Sequence, residues 1–294
     1  MSEITSETAT TLMIGDIRVR ALVDLDGYPL DLAFVFPDAK LDDVAPHRSW
    51  LEPTYLQGNE IRLVVRTMVM EVDGRNILID ACVGEHKERP TRPLFNKRKD
   101  TDFIAKLAKL GFRPEDIDVV FCTHLHVDHV GWNTKLDNGR WVPTFANARY
   151  LFGRKELEHW MGQPNRAELG GGSFVDSVIP IVEAKRCDLV DDGHDIGKGL
   201  SLCLLPGHTP GQLGLDVVRG KDRAFFIGDA MHSPLQVALP DLSTGFDTDR
   251  KQAAVTRRAF LDAAAADNRW LVPCHFRGPI AHKIKRAGNS FMIG

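Results

Sequence analysis

The stretch Thr123-His124-Leu125-His126-Val127-Asp128-His129 constrains this chain more than any other. It follows the apolar run 117–122 and places three imidazoles and a carboxylate within six residues. These are the side chains that hold divalent cations in proteins. In an extended segment His124 and His126 point to one side, while Asp128 and His129 come from the turn that follows. The stretch therefore offers ligands to two adjacent cations. A polar loop with surface histidines is the alternative.

Later parts of the chain repeat one arrangement, in which an apolar run ends in a loop that carries a His or an Asp. The three residues are His208 after 202–205, Asp229 after 224–227 and His275 after 270–272. Apolar runs of this length are typical of buried strands. We therefore predict that separate strand ends converge on one edge, where they complete the ligand set. This argues against the polar loop.

The order of these motifs resembles the metallo-β-lactamase-fold hydrolases, in the lactonase and methyl-parathion-hydrolase-like branch. The resemblance covers most of the chain, from about Arg62 to the C-terminus. It implies an α/β fold, a four-layer αβ/βα sandwich, with a dinuclear metal site. The implied ligands are His124, His126 and His208 for the first cation, Asp128, His129 and His275 for the second, and Asp229 bridging both.

Length and charge limit the organisation and the partners of the chain. Its 294 residues are predicted to form a single domain, 1–294, with two αβ halves at about 15–190 and 195–294. The formal net charge of −3 provides no basic surface for nucleic acid. No apolar run is long enough to span a membrane. The expected partner is a small molecule, and a homodimer is left open.

The N-terminus and the cysteines favour a reducing cytoplasm. Residues 1–7 carry acidic and hydroxyl side chains where a signal peptide needs a basic start and an apolar middle, so they are predicted to be a short frayed lead. The five cysteines are scattered, without a Cys-X-X-Cys pair, so we expect no disulfide framework or zinc knuckle. Cys122 and Cys274 adjoin proposed ligands but are interpreted as buried packing residues.

Hydrophobic periodicity predicts the elements that carry the loops. The predictions are a strand at 17–23 ended by a turn at Asp26-Gly27, an irregular segment 30–60, a hairpin of 62–72 and 76–80, a helix capped by Thr101 or Asp100, and a long helix at 247–267. Asp80 is predicted to orient a ligand imidazole through a hydrogen bond, with a turn-capping role as the alternative.

Several aromatic residues permit two interpretations. Phe34, Phe36, Trp50 and Tyr55 lie in the segment 30–60 and could wall a substrate pocket, form a dimer contact or pack locally. Trp132 follows Gly131, where many relatives carry a second glycine, so its indole lies near the second cation or packs in the core. The sequence does not decide between these positions.

The ligand set predicts hydrolysis. Two bridged cations lower the pKa of a shared water to about 7, and the resulting hydroxide attacks a carbonyl or phosphoryl group. We find no Gly-X-Ser-X-Gly nucleophile motif. The leading hypothesis is hydrolysis of a small lactone or carboxylic ester. Organophosphate or phosphoester hydrolysis is the second, and a non-catalytic metal-binding protein is the third.

The resemblance also narrows the branch and the catalytic residues. The bridging Asp229 argues against true β-lactamases, and the complete second site argues against mononuclear persulfide dioxygenases. The chain lacks the basic C-terminal glutathione motif of glyoxalase II and the RNA-binding arm of tRNA-processing members. His232 stands where acyl-homoserine lactonases place a tyrosine, so it is predicted to donate to the substrate oxygen or to carry a proton to the leaving group, with a role in packing or in supporting the ligands as the alternative. Asp128 is the other predicted catalytic residue. Zinc is the favoured cation, although Mn, Fe and Co suit the same ligands.

Overall fold

A computed structural model describes residues 10–99 and 101–294. The predictions for the lead at 1–7 and for a cap at Asp100 lie outside these residues. The chain divides into two compact units. Unit 1 combines 10–16, Leu25–Val64 and Asp192–Gly294, and unit 2 combines Ile17–Asp24 with Val65–Asp191. The segment Leu25–Val64 thus groups with the C-terminal part of the chain. The single-domain organisation stays a prediction.

The described residues alternate strands with short helices. The strands are β1 (Thr11–Ile14), β2 (Ile17–Asp31), β3 (Leu56–Gln57), β4 (Glu60–Val72), β5 (Arg75–Ile79), β6 (Val119–Phe121), β7 (Thr134–Asp137), β8 (Arg140–Pro143), β9 (Arg149–Gly153), β10 (Cys187–Val190), β11 (Asp195–Gly197), β12 (Leu200–Leu204), β13 (Leu213–Arg219), β14 (Asp222–Phe226), β15 (Trp270–Val272), β16 (Ile284–Ala287) and β17 (Ser290–Ile293). The α-helices are α1 (Leu32–Val35), α2 (Leu41–Val44), α3 (Arg48–Leu51), α4 (Phe103–Lys109), α5 (Val127–Val130), α6 (Arg154–Met161), α7 (Ile179–Glu183), α8 (Leu235–Ala238) and α9 (Arg250–Asp267). A π-helical turn spans Phe174–Val178, and 3-10 helices span Ala45–His47, Pro114–Asp116, Gly131–Asn133, Leu169–Gly171 and Gly228–Ala230.

Unit 2 contains a mixed sheet in which β4, β5, β6, β9 and β10 are successive neighbours. The predicted hairpin is present, because β4 and β5 are antiparallel and Val72 pairs with Arg75 across the tight turn. The strands β5, β6, β9 and β10 are parallel to one another. Parallel strands share the edge at which their carboxyl ends lie. Asp80 after β5 and the loop 123–129 after β6 therefore lie at the same edge of this sheet.

Unit 1 contains a second sheet in the order β11, β12, β13, β14, β15. β13 is antiparallel to both β12 and β14, and β15 is parallel to β14, so β12, β14 and β15 run in one direction. Their carboxyl ends lead directly into His208, Asp229 and His275. Within this unit, three separate strand ends thus deliver the three residues to one edge of the sheet.

Helix α9 packs on the sheet of unit 1 through an apolar face. Phe260, Leu261 and Ala264 are buried in one cluster with Phe225 and Leu271 of the sheet. Burying each large apolar side chain stabilises the fold by about 1.5–3 kcal/mol. This packing fixes the base from which the loops of unit 1 project.

Three boundary predictions are wrong. The strand that begins at Ile17 does not end at Asp26-Gly27 but continues to Asp31, with Gly27 at a φ of +68° inside it. The long helix begins at Arg250 rather than at 247, since the side chain of Asp249 caps it by accepting from the Gln252 amide at 2.9 Å.

The cap of α4 is also one residue later than predicted. The N-cap is Asp102, with a φ of +58° and no side-chain cap, whereas the hydroxyl of Thr101 accepts from the Phe103 amide at 3.5 Å and lies 2.8 Å from Glu85 Oε1. The segment 30–60, predicted to be irregular, contains the single-turn helices α1, α2 and α3. One-turn helices are too short to produce a sustained periodicity in the sequence.

The helices of the described residues include none with the length and apolar content needed to cross a bilayer.

Candidate metal centre

The loop after β6 brings two imidazoles of unit 2 together. His124 is buried, and its Nε2 lies 3.0 Å from Nδ1 of His126. Two atoms that bind one cation at 2.0–2.1 Å are separated by roughly 2.9–3.4 Å. The spacing of these two nitrogens therefore fits a shared cation.

Asp80 organises the same loop, as predicted from the sequence. Its Oδ2 lies 2.9 Å from Nδ1 of His129, and its Oδ1 accepts from the Thr123 amide at 2.8 Å. A carboxylate only accepts hydrogen bonds, so the proton of His129 resides on Nδ1 and the lone pair on Nε2. Asp128 Oδ1 lies 3.8 Å from this Nε2, and the Asp128 side chain is 19% exposed. The two residues offer a nitrogen and an oxygen side by side.

The segment after these ligands is fixed by close backbone packing. The Gly131 amide donates to the Cys82 carbonyl at 2.7 Å, and a Cβ at position 131 would overlap the Val83 backbone. Trp132 stacks on Phe103 with ring centroids 4.8 Å apart and planes 16° apart. Of the two positions left open by the sequence, Trp132 therefore takes the packed one.

In unit 1, Asp229 is the centre of a buried polar cluster. Its Oδ1 lies 3.0 Å from Nε2 of His275, and its Oδ2 lies 3.4 Å from Nε2 of His208 and 3.1 Å from Nε2 of His232. Cys274 Sγ lies 2.9 Å from Oδ1. His275 Nε2 also lies 3.2 Å from Oδ2, so Oδ1 contacts His275 and Oδ2 contacts His208, His232 and His275. A carboxylate surrounded by imidazoles in this way is suited to bridging two cations.

The other ring nitrogens of His208 and His275 contact groups that only accept hydrogen bonds. His208 Nδ1 lies 3.0 Å from Asp247 Oδ1, and His275 Nδ1 lies 2.8 Å from the Val64 carbonyl. These contacts orient both rings so that Nε2 faces the Asp229 carboxylate. Burial alone would raise the pKa of Asp247, but the hydrogen bond with His208 and the positive charges nearby hold it below its usual value.

His232 joins this cluster to an aromatic surface of unit 1. Its ring stacks on His275, with centroids 5.3 Å apart, and contacts Phe246 at 5.4 Å. Phe246 in turn meets Phe34 at 5.6 Å, and Phe34 is 60% exposed. Burial lowers the pKa of His232, and the nearby Asp229 carboxylate opposes this only in part. The imidazole therefore begins a column of rings that reaches the protein surface.

Sequence reasoning missed the roles of two residues. The sequence predicts Asp247 inside a helix, whereas it precedes α9 and contacts His208. No sequence signal distinguishes it from the neighbouring Asp249. Cys274 is buried, as predicted, but its thiol contacts Asp229 as well as packing. Its position directly before His275 was the signal available for that contact.

Each unit therefore gathers its own predicted ligands. Unit 2 contributes His124, His126, Asp128 and His129, and unit 1 contributes His208, Asp229 and His275. Imidazole nitrogens and carboxylate oxygens form a donor set suited to zinc and to similar divalent ions. Their assembly into one site of seven ligands stays a prediction.

Known proteins resemble this chain in sequence and in fold. An N-acyl homoserine lactonase of Bacillus cereus is 24% identical over 221 residues, which cover 71% of this chain and 81% of the relative. The solved structure of AidC, described as a dizinc quorum-quenching lactonase, superposes with a TM-score of 0.80 at 20% identity, covering 97% of this chain and 96% of AidC. The hydrolase AbOPH gives a TM-score of 0.80 at 22% identity, with the same coverage of 97% and 96%.

The structural likenesses confirm the predicted metallo-β-lactamase fold. The sequence pattern of the metallo-beta-lactamase superfamily matches residues 61–275, a range that includes every predicted ligand. This chain therefore belongs to the metallo-β-lactamase superfamily and, as predicted, is a metal-dependent hydrolase.

Proposed function

We propose that the chain is a dinuclear metal-dependent hydrolase of a small lactone or carboxylic ester. The observation that supports this most strongly is the Asp229 carboxylate, whose two oxygens lie 3.0 and 3.4 Å from the Nε2 atoms of His275 and His208. A buried carboxylate that faces ligands on both sides is suited to bridging two cations.

The proposed site combines the ligands of both units. We assign His124, His126 and His208 to one ion, Asp128, His129 and His275 to the other, and Asp229 to both. Zinc is the favoured ion, because five imidazoles and two carboxylates match its donor preference, and AidC is described as a dizinc enzyme. Manganese, iron and cobalt suit the same donors. Such ions, when bound, activate a water and polarise a carbonyl oxygen.

The chain's own residues orient the ligands and provide a proton-carrying group. Asp80, Asp247 and the Val64 carbonyl contact Nδ1 of three imidazoles and so fix the ring orientation in which Nε2 would bind a cation. His232 Nε2 lies 3.1 Å from Asp229 Oδ2, close to where substrate would lie. From there it can donate to the substrate oxygen or carry a proton to the leaving group.

The substrate class is inferred from the relatives and from the ring column. The Bacillus cereus relative is named an N-acyl homoserine lactonase. Phe246 and the exposed Phe34 offer apolar surface beside His232, which suits a substrate with an apolar acyl or alkyl part.

The net charge of −3 favours a small molecule over nucleic acid as partner. None of the five cysteines forms a disulfide, which suits the proposed location in a reducing cytoplasm. A homodimer is left open.

A substrate panel tests this proposal. One preparation with two metals per chain is assayed against acyl-homoserine lactones, simple lactones, aryl carboxylic esters and aryl phosphate esters, beside Asp229→Asn as a control. We expect kcat/KM to be highest for a lactone or ester and to be lost in the variant. Preferential turnover of phosphate esters would show instead that the protein is a phosphoester hydrolase. No turnover of any compound by the metal-loaded protein would support a non-catalytic metal-binding role.

A further inference from the structure

Arg257 is a fully buried arginine in the middle of α9. Its side chain is 1% exposed, and most of its buried neighbours on the helix, such as Phe260 and Leu261, are apolar. Burial lowers the pKa of Arg257 to about 10, so the guanidinium still carries its charge at neutral pH. Burying a charge is costly unless it is paired and hydrogen-bonded. The groups that Arg257 contacts therefore indicate the role of its buried charge.

The guanidinium contacts the backbone of two loops. Its Nε donates to the Ala230 carbonyl at 3.0 Å, and its Nη1 donates to the carbonyls of Pro240 and Leu242 at 2.8 and 2.9 Å. Ala230 directly follows Asp229 in the chain. One side chain thus ties the loop that carries the proposed bridging ligand to the loop that precedes Asp247.

The guanidinium also reaches the carboxylate that orients His208. Its Nη2 lies 3.6 Å from Asp247 Oδ2, and Asp247 Oδ1 lies 3.0 Å from His208 Nδ1. The same Oδ2 accepts from the Thr244 amide at 2.8 Å. All three side chains of this series are at most 1% exposed. Two separate routes therefore lead from Arg257 to proposed metal ligands.

We propose that Arg257 is a positioning residue of the metal centre, which fixes His208 through Asp247 and the Asp229 loop through the Ala230 carbonyl. The inference rests on the proposed function, in that His208 and Asp229 are taken as ligands. A lysine cannot replace this arginine, because the planar guanidinium presents five donors in fixed directions and an ammonium offers a single point charge.

Metal affinity in the folded protein tests the proposal. Arg257→Lys and Arg257→Gln are compared with Arg258→Gln, which removes the next arginine of α9, a half-exposed side chain paired with Asp241. The readouts are the Co²⁺ dissociation constants of the metal-free proteins, from chelator competition, and the visible spectrum of bound Co²⁺. We expect the Arg257 variants to bind at least one ion 10–100-fold more weakly with an altered spectrum. Arg258→Gln should match the wild type.

A double variant separates positioning from general stability. If Arg257 acts through Asp247, the loss of Co²⁺ affinity in Arg257→Lys combined with Asp247→Asn should be smaller than the sum of the single losses. If Arg257→Gln does not fold, Arg257→Lys retains a cation and provides the same comparison. Variants that unfold at lower temperature but keep wild-type Co²⁺ affinity and spectrum would overturn the proposal, as would fully additive losses.

The same measurements distinguish this proposal from the proposed function. Wild-type protein that binds two Co²⁺ ions but hydrolyses no ester contradicts the proposed function alone, because the affinities of the Arg257 variants still report positioning. Wild-type protein that binds no Co²⁺ overturns both. Full hydrolysis by the wild type, together with unchanged affinity in Arg257→Lys, overturns the role of Arg257 alone.

Discussion

At the scale of single residues, three proposed ligands are held by one kind of contact. His129, His208 and His275 each place Nδ1 within 3.0 Å of an oxygen that only accepts hydrogen bonds. Such contacts fix the tautomer and the orientation of the ring before any cation binds. The ligands are therefore arranged by the fold, so the metal does not need to order them.

His232 differs from these ligands, and its role is testable by substitution. The change is His232→Ala, with His194→Ala, an exposed turn residue, as the control. Because Nε2 of His232 points to the Asp229 carboxylate without belonging to the proposed ligand set, we expect turnover to fall more than tenfold while two metals per chain remain bound. Steady-state kinetics with elemental analysis provide the measurement. An unchanged kcat would remove His232 from the mechanism.

Lys87 is a buried lysine whose pKa should make the stability of the protein depend on pH. Its Nζ lies 2.7 Å from Thr134 Oγ1, 3.5 Å from Asp176 Oδ1 and 3.6 Å from the centroid of the Trp141 ring. Arg89 pairs with the same carboxylate, so two buried cations share one anion. Burial lowers the pKa of Lys87 from 10.5 to about 7, and Asp176 offsets this only in part.

The shift predicts a pH dependence of stability. Between pH 7 and 10.5 the unfolded chain holds the Lys87 proton more tightly than the folded chain, so the free energy of unfolding rises with pH. Relative to Lys87→Met, the wild type should become more stable from pH 7 to pH 9, by up to about 1.4 kcal/mol per pH unit. Urea unfolding of both proteins measures this, with Lys97→Met as the control for an exposed lysine. A difference that does not change with pH would contradict the prediction.

At the scale of elements, the proposed ligands occupy corresponding positions in the two units. Each follows the carboxyl end of a strand, and within each sheet these strands run in one direction. Loops at strand ends are short and supported by the sheet, so they hold side chains more firmly than long surface loops do. The backbone conformation of these loops therefore determines where the ligand side chains lie.

Gly207 shows how closely the loop before His208 approaches α9. Its φ is +133°, and a Cβ there would overlap the backbone of Ala253. We expect Gly207→Ala to destabilise the protein by clearly more than the 1–2 kcal/mol or so of an unfavourable positive φ, and to weaken metal binding. Gly220→Ala is the matched control, since Gly220 has a φ of +61° with no atom within 4 Å of a Cβ. Equal losses in the two variants would contradict the steric argument.

Sequence patterns predicted the strand ends well and the connecting details poorly. The runs before His124, His208, Asp229 and His275 are mostly apolar, and each contains or overlaps a strand in the structure. In contrast, no turn ends the strand at Asp26-Gly27, and these two residues lie inside β2. A single glycine is tolerated within a strand, so it does not by itself predict where the strand ends. Local patterns record burial, whereas the paths between elements depend on contacts that are remote in sequence.

The contacts of the ligands beyond the motif were the least predictable part of the site. Asp80 could be predicted, since it ends the strand beside the metal-binding loop. Asp247 could not, because it lies 39 residues from the histidine that it contacts. Arg257 resembled the other arginines of its helix, although it is the buried one and Arg258 is not. Such partners are chosen by tertiary packing, which single-sequence patterns do not record.

At the scale of the whole molecule, metal binding should determine stability as well as activity. Within each unit the folded chain already orients its proposed ligands, so cations should bind the native state more strongly than the unfolded one. A cation at 100 times its dissociation constant stabilises the native state by about 2.7 kcal/mol. We expect chelation to lower the unfolding temperature and abolish hydrolysis, with Zn²⁺ restoring both. Thermal unfolding checks this, and an identical unfolding temperature with and without chelator would contradict it.

The metal content of the purified protein tests the central claim most directly. Elemental analysis after removal of loosely bound ions should find two transition-metal ions per chain in the wild type and fewer in Asp229→Asn, because Asp229 is proposed to contact both ions. A wild-type protein that carries less than one ion per chain, even after incubation with Zn²⁺, Mn²⁺, Fe²⁺ or Co²⁺, would contradict the account.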